Sequence, residues 1–237
     1  MSYQRPDRIL TQDLLEYCTY VVRWKEEEAY RDAGVKDLLV IPQGATLKDG
    51  TIVWSFMTTL YWIIENTPED VIFVADDDIK NFAYRLDDAT NIKTQFRNYR
   101  EIATSEIERI AQLLVDLNLG FACDNPQFSL YNYTQEFCFK GMPGGIRWIN
   151  KKAFKAKFDP KDFATSDIDM MMQELLMNRI ILQPRYFHSV SVKDVNSGGT
   201  TVDSKVNYQF RLAMKNKWGK YFDYDFKKNQ AKINVKR

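Results

Sequence analysis

Histidine is almost missing from this 237-residue chain: His188 is the only one, so any imidazole chemistry rests on that residue. Cysteine is scarce as well. Cys18, Cys123 and Cys138 stand far apart with no Cys-x-x-Cys pair, which argues against a zinc module and a disulfide framework and suits a reducing compartment. Long apolar runs are lacking; residues 54–64 are too few to span a bilayer. No basic-plus-apolar leader opens the chain, so a cytoplasmic protein without a membrane partner is expected. A net charge of one sign is lacking too. With 33 basic and 32 acidic residues the balance is +1, so the total does not advertise a polyanion partner, although a locally basic face is compatible with it. Internal repeats and low-complexity linkers are absent, and residues 1–237 read as a single domain.

What is present is ordinary for a globular protein: 45% hydrophobic and 27% charged residues. Short apolar runs predict strands at 20–22, 38–41, 71–75 and 180–182. Helical spacing predicts helices at 11–17, 51–66 and 104–119. The last carries Ile107, Ile110, Leu113, Leu114 and Leu117 and stops at Gly120. Alternating strands and helices predict an α/β fold, a mostly parallel central sheet flanked by helices. Residues 218–237 read as a basic tail, either a last edge strand or a loosely held arm. Trp24 and Trp148, and the alternating Tyr131, Tyr133, Phe137 and Phe139, read as core.

The strongest chemical signal is Asp76-Asp77-Asp78, delivered directly by the apolar run 71–75. In a parallel sheet, ligands bind beyond the carboxyl ends of strands. Three adjacent carboxylates repel one another, and a divalent cation carrying a diphosphate offsets that repulsion in an oxygen-rich shell suited to Mg²⁺ or Mn²⁺. The plain alternative is a solvated acidic turn capping a following helix.

In the second half, Gly144-Gly145-Ile146, Ile149-Asn150-Lys151-Lys152-Ala153-Phe154, Lys157-Phe158-Asp159-Pro160, Ser166-Asp167-Ile168-Asp169, and Arg185-Tyr186-Phe187-His188 follow in order. Together with Ser2-Tyr3-Gln4-Arg5-Pro6 they resemble the motifs of GT-A-fold glycosyltransferases, whose domain is Rossmann-like. The front segment, Val40-Ile41-Pro42 and the full Asp-Asp-Asp are similar to the TET-associated glycosyltransferases, linked to phages that decorate hydroxymethylated pyrimidines in DNA. The resemblance implies a nucleotide-sugar-binding half at 1–120, an acceptor-side half at 121–217, and a divalent-metal-dependent enzyme. The donor it implies is a nucleotide-sugar, with UDP as the expected nucleotide, and the acceptor is modified DNA.

The same resemblance implies residue roles. Asp76, Asp78 and His188 are expected at the metal. Tyr3, Arg5, Asp76, Asp77, Gly144 and Gly145 are expected around the donor, the glycines through close backbone approach and unusual φ angles. Asp167 is the expected base, taking the acceptor hydroxyl's proton, with Ser166 and Asp169 near the acceptor. Arg147, Lys151, Lys152 and Lys155 are candidate DNA-phosphate contacts. Each has a plainer reading: a hydrogen-bonded structural histidine, a Ser/Asp helix cap, a Pro-Gly-Gly turn, a solvated lysine face. Rival functions are a nucleotidyltransferase, a metal nuclease and a non-catalytic binding module. The first lacks its glycine-rich phosphate loop, since residues 2–8 contain no glycine.

Overall fold

The computed structural model describes residues 1–2, 4–85, 89–125, 135–159, 166–192, 204–227 and 230–235. A 3₁₀ turn (Thr11–Leu14) leads to strand β1 (Tyr20–Arg23), helix α1 (Glu27–Asp32) and strand β2 (Leu38–Ile41). Helix α2 (Phe56–Asn66) starts where Ser55 and Thr58 cap each other's backbone. Its residues 57–63 are all buried, as an apolar surface on most faces requires. Strand β3 (Val71–Ala75) ends in the acidic turn. Next come β4 (Ile79–Arg85), β5 (Ala89–Asn91), α3 (Ile92–Gln95), the long α4 (Tyr99–Asp116) and β6 (Phe121–Cys123). The second half holds β7 (Phe137–Cys138), β8 (Ile146–Asn150), α5 (Ser166–Met177), β9 (Gln183–Pro184) and β10 (Phe187–Ser191). It closes with α6 (Ser204–Trp218), β11 (Phe222–Asp225) and β12 (Gln230–Ile233).

The expected mostly parallel, Rossmann-like sheet is not what these strands build. Among the described strands only β1 and β2 pair in parallel, as a two-stranded sheet. The others form small antiparallel sheets, in the orders β3-β8-β6, β10-β4-β5, β7-β9 and β11-β12. The reason lies in the connections. After the glycine turn at 144–145 the chain runs straight back along β3, pairing Ala75 with Ile146 and Val71 with Asn150. The acidic turn is followed not by a helix but by β4, which takes β10 and β5 as neighbours.

Local expectations fare unevenly. Strands at 38–41 and 71–75 form as read. Residues 180–182 form no strand; Leu182 makes one isolated parallel bridge to Ala122. Helix α4 begins five residues earlier than expected and stops at Asp116 rather than at Gly120, with Asn118 in the left-handed conformation (φ 50°) just beyond its end. Gly120 is needed for space instead: a Cβ there would meet Phe154, Ala153 and Glu174. Trp148 is fully buried and donates from Nε1 to Ile107 O at 3.0 Å, but Trp24 and Phe139 are exposed. The basic tail is the β11-β12 hairpin, whose Phe222 and Tyr224 join the core around α2 and α5. Among the described residues no helix is long and apolar enough to cross a membrane.

Candidate active site

Strand β8 lies between β3 and β6 and runs against both, so β3 and β6 point the same way and their carboxyl ends share an edge. Asp76 N donates to Gly145 O at 3.0 Å and Asp124 N to Ile146 O at 3.3 Å. The acidic turn 76–78, Asp124 and the glycine turn therefore meet at one place. Helix α5 begins nearby: the charges of Asp78 and Asp167 both act on Asp76. Loss of water raises the Asp76 carboxyl to about 6, with the two aspartates adding to the rise and Arg147 and the terminal amine opposing it.

Arg147 sits at the centre. Its side chain is 4% exposed, with Nη2 3.3 Å from Asp76 Oδ1 and 3.5 Å from Gly144 O, and its guanidinium lies 5.0 Å from the Phe56 ring centroid. Its Nε and Nη1 find no hydrogen-bond partner among the described residues. A buried guanidinium with two unused N–H groups is suited to an incoming anion. The sequence had suggested Arg147 as a surface contact to DNA; burial rules that out.

Asp124 was not singled out from the sequence. It is 1% exposed and accepts from Ile146 N (3.2 Å), Ser189 N (2.8 Å) and Ser189 Oγ (2.5 Å). Burial raises its carboxyl, while these donors and Arg147 pull it down. The rule that found Asp76, an apolar strand running straight into an acid, applies equally to Phe121-Ala122-Cys123-Asp124. Gly144 is explained here too: a Cβ would collide with the Asp124 carboxylate. Neither Gly144 nor Gly145 has a positive φ, so what they supply is room rather than an unusual angle.

Other expected site residues are placed elsewhere. Asp77 is buried and accepts from Ser2 Oγ (2.7 Å) and Arg5 Nη1 (2.9 Å), so Asp77 and Arg5 hold each other rather than a donor. Tyr3, Tyr131 and Tyr133 lie outside the described residues, as does the Ser166 side chain. His188 stands on β10 opposite Ala83, five residues along β4 from Asp78, or about 16 Å at ~3.3 Å per residue. It is buried and hydrogen-bonded to the Ala83 backbone, and desolvation lowers its imidazole to about 4, with Arg85 adding to the fall. The structure thus does not group His188 with Asp76 and Asp78. Among the described residues no three His, Cys, Asp or Glu side chains are placed to hold a metal ion by themselves.

Asp169 does not face an acceptor either. Its carboxylate takes Lys217 Nζ (2.9 Å), Trp218 Nε1 (2.7 Å) and Gln173 Nε2 (2.7 Å), fastening α5 to the end of α6. Asp167, by contrast, is only half-buried, and among the described residues its carboxylate accepts from Ile168 N (2.8 Å). Two of the three lysines are engaged through their side chains: Lys151 Nζ bonds Thr67 O and Lys152 Nζ pairs with Asp70; of Lys155, it is the backbone N–H that donates to Glu174.

A cavity of about 600 Å³ lies between β1 and β3, walled by Tyr20, Leu39, Ile63 and Val74, with Asp76 and Asp77 at one end. Ser2 N donates to Val21 O (3.2 Å) and the Met1 nitrogen to Ala75 O (3.1 Å), bridging the two strands there. No pattern in the sequence signalled this gap. Compared with known proteins, the chain matches no family model, no curated protein and no solved structure. Its chemistry has therefore to be argued from the site itself.

Proposed function

We propose that this protein is a glycosyltransferase that takes a sugar from a nucleotide-sugar, UDP-linked in the first instance, and moves it to a hydroxyl acceptor, the hydroxymethyl group of a modified pyrimidine in DNA. The observation that carries the reading is Arg147, buried with two unused N–H groups beside Asp76, Asp78 and Asp167. A site holding a fixed cation among several carboxylates suits a ligand that brings both negative oxygens and a metal. A nucleoside diphosphate with Mg²⁺ or Mn²⁺ is such a ligand.

The residues fit a metal of that kind and not a protein-only cage. Mg²⁺ characteristically takes one or two carboxylates and completes its shell with phosphate oxygens and water. Asp78 and Asp76 would hold it, and His188 takes no part. When bound, the cation stabilises the charge on the departing diphosphate. Arg147 donates to a phosphate oxygen in the direction its unused Nε and Nη1 offer. Asp167, half-buried in the first turn of α5, accepts the proton of the acceptor hydroxyl as that oxygen attacks the sugar's anomeric carbon.

The test is mass spectrometry of hydroxymethylated DNA after incubation with the protein, Mn²⁺ and a panel of nucleotide-sugars. The expected result is the mass of one sugar per modified base and release of the nucleoside diphosphate. Release of pyrophosphate instead would make the protein a nucleotidyltransferase. Neither transfer nor donor hydrolysis with any member of the panel would overturn the reading.

A further inference from the structure

The net charge of +1 hides a sharp division. Residues 204–237 contain ten basic side chains and only two acidic ones, Asp223 and Asp225, a balance of +8; residues 1–203 therefore carry −7. The described part of this segment is α6 packed on the β11-β12 hairpin, and it is rich in rings. Tyr208 on α6 is 50% exposed and Phe226 at the hairpin tip 44% exposed, with their centroids 4.7 Å apart. Phe226 lies 4.9 Å from Tyr224, and the Arg211 guanidinium lies 4.1 Å from the Tyr224 ring. Alternation along the strand puts Phe222, Tyr224 and Phe226 on one face. The first two are buried in the core; the third runs past the core's edge and meets Tyr208 in the open. Two large apolar rings held exposed are not needed by the core. Along the same segment Lys215, Lys220, Lys227 and Lys232 are exposed, Lys215 paired with Asp223.

We propose that this α6–hairpin face, centred on Tyr208 and Phe226, binds single-stranded nucleic acid. Exposed rings offer stacking surface to bases, which present their faces only when unpaired, and the surrounding lysines and arginine follow the phosphates. Both features are required. A purely electrostatic surface has no use for exposed rings, and an apolar protein-docking patch has no use for a segment whose sequence balance is +8. The face is separate from Arg147 and the carboxylates. It would hold the acceptor strand in the reading above, but it can be tested without donor, metal or modified base, so the two ideas fail independently.

The experiment is fluorescence anisotropy of a labelled, unmodified oligothymidine with the full chain at 50 and 200 mM salt. The expected outcome is binding that weakens with salt, as counterion release requires. The double variant Tyr208→Ala/Phe226→Ala should weaken it by about tenfold or more at either salt, at the usual strength of base stacking on an aromatic ring. Lys220→Ser/Lys227→Ser/Lys232→Ser should make the salt dependence shallower, by up to about 2 in log–log slope at ~0.7 per phosphate contact. All five residues are exposed, so the fold should survive, as circular dichroism will check. The proposal is overturned if no binding appears at 50 mM salt, if duplex DNA binds as tightly as the single strand, or if the ring variant binds like the wild type. Equal binding to phosphatidylserine vesicles, lost in the same variants, would assign the face to a membrane surface and also overturn it.

Discussion

Strands β3 and β6 flank β8, point the same way, and each runs into aspartate at the same edge of the sheet. Yet the two ends are used in opposite ways. Asp124, after β6, is enclosed and accepts three hydrogen bonds from the protein. Asp76 and Asp78, after β3, are half-buried at the mouth, and their charges act on one another. Identical local patterns, an apolar strand ending in an acid, thus yield one enclosed carboxylate and one left half-exposed. What separates them is the partner strand: β10 brings Ser189 to Asp124, whereas β10 has ended by the time it reaches Asp78, where only Val192 N meets the Asp78 carbonyl.

Exchanging the two aspartates in turn tests this contrast, and the largest effect falls on the open end. Asp78→Ala should lower kcat/KM for sugar transfer by about a thousandfold, or about 4 kcal/mol of transition-state stabilisation. The urea midpoint should stay where it was, because a half-exposed side chain with no essential partner is replaced. EDTA should produce the same loss in the wild type, reversibly. Full activity in the chelator would remove the metal from the reading. Asp124→Ala should do the opposite. It strips the acceptor from Ser189 and Ile146, while Arg147 keeps Asp76 beside it, and the buried donors left unpaired cost about 3 kcal/mol of unfolding free energy. A variant as stable as the wild type in urea would mean that the two strand ends are not different in kind.

How much of this could be read from the sequence follows the same divide between local and long-range determinants. Strand β3 and its acidic turn were legible, because apolar run and carboxylates adjoin. So was α2, whose apolar surface on most faces needs no knowledge of its neighbours. Sheet pairing was not legible. Whether β8 runs with or against β3 is settled by pairing between segments far apart in the chain, and the alternation of strands and helices pointed to parallel strands where these two are antiparallel. His188 failed for a related reason: its distance from Asp78 is set by the β4-β10 register, which no spacing along the chain reveals. Asp169 was misread because its partners, Lys217 and Trp218, lie 48 and 49 residues away. Asp124 was missed although its signal was present.

His188 also offers the next test, since it was expected among the ligands and belongs with the enclosed groups. In the unfolded chain its imidazole takes a proton below about 6.5; in the fold it waits until about 4. Above 6.5 it is neutral in both states and adds no pH dependence. As pH falls from 6.5 to 4 the unfolded state is protonated first, so stability is lost, by about 3 kcal/mol across that window. His188→Gln should remove that part of the acid sensitivity, seen by comparing urea unfolding of the two proteins at pH 7 and pH 4.5. Parallel losses in both would mean that the imidazole titrates normally and faces the open site after all.

The smallest effect is the one that most sharpens the contrast, because Asp77 sits inside the acidic turn but behaves like Asp124. Its neighbours Asp76 and Asp78 are half-exposed, while Asp77 is turned inward to Ser2 and Arg5. The alternation is what an extended turn imposes, with successive side chains on opposite sides. Asp77→Asn keeps the shape and the Ser2 contact but removes the charge facing Arg5, a buried guanidinium. The expected cost is about 2 kcal/mol of stability, the scale of one hydrogen bond to a charged group. Transfer activity per folded molecule should be unchanged, since Asp77 holds the start of the chain and touches no donor. Urea unfolding and kcat/KM measured on the same preparation separate the two quantities. A hundredfold fall in kcat/KM with an unmoved urea midpoint would place Asp77 at the donor, as its position between two ligand-facing aspartates first suggested. The turn would then act as a single acidic unit, and the division between open and enclosed carboxylates would not run through it.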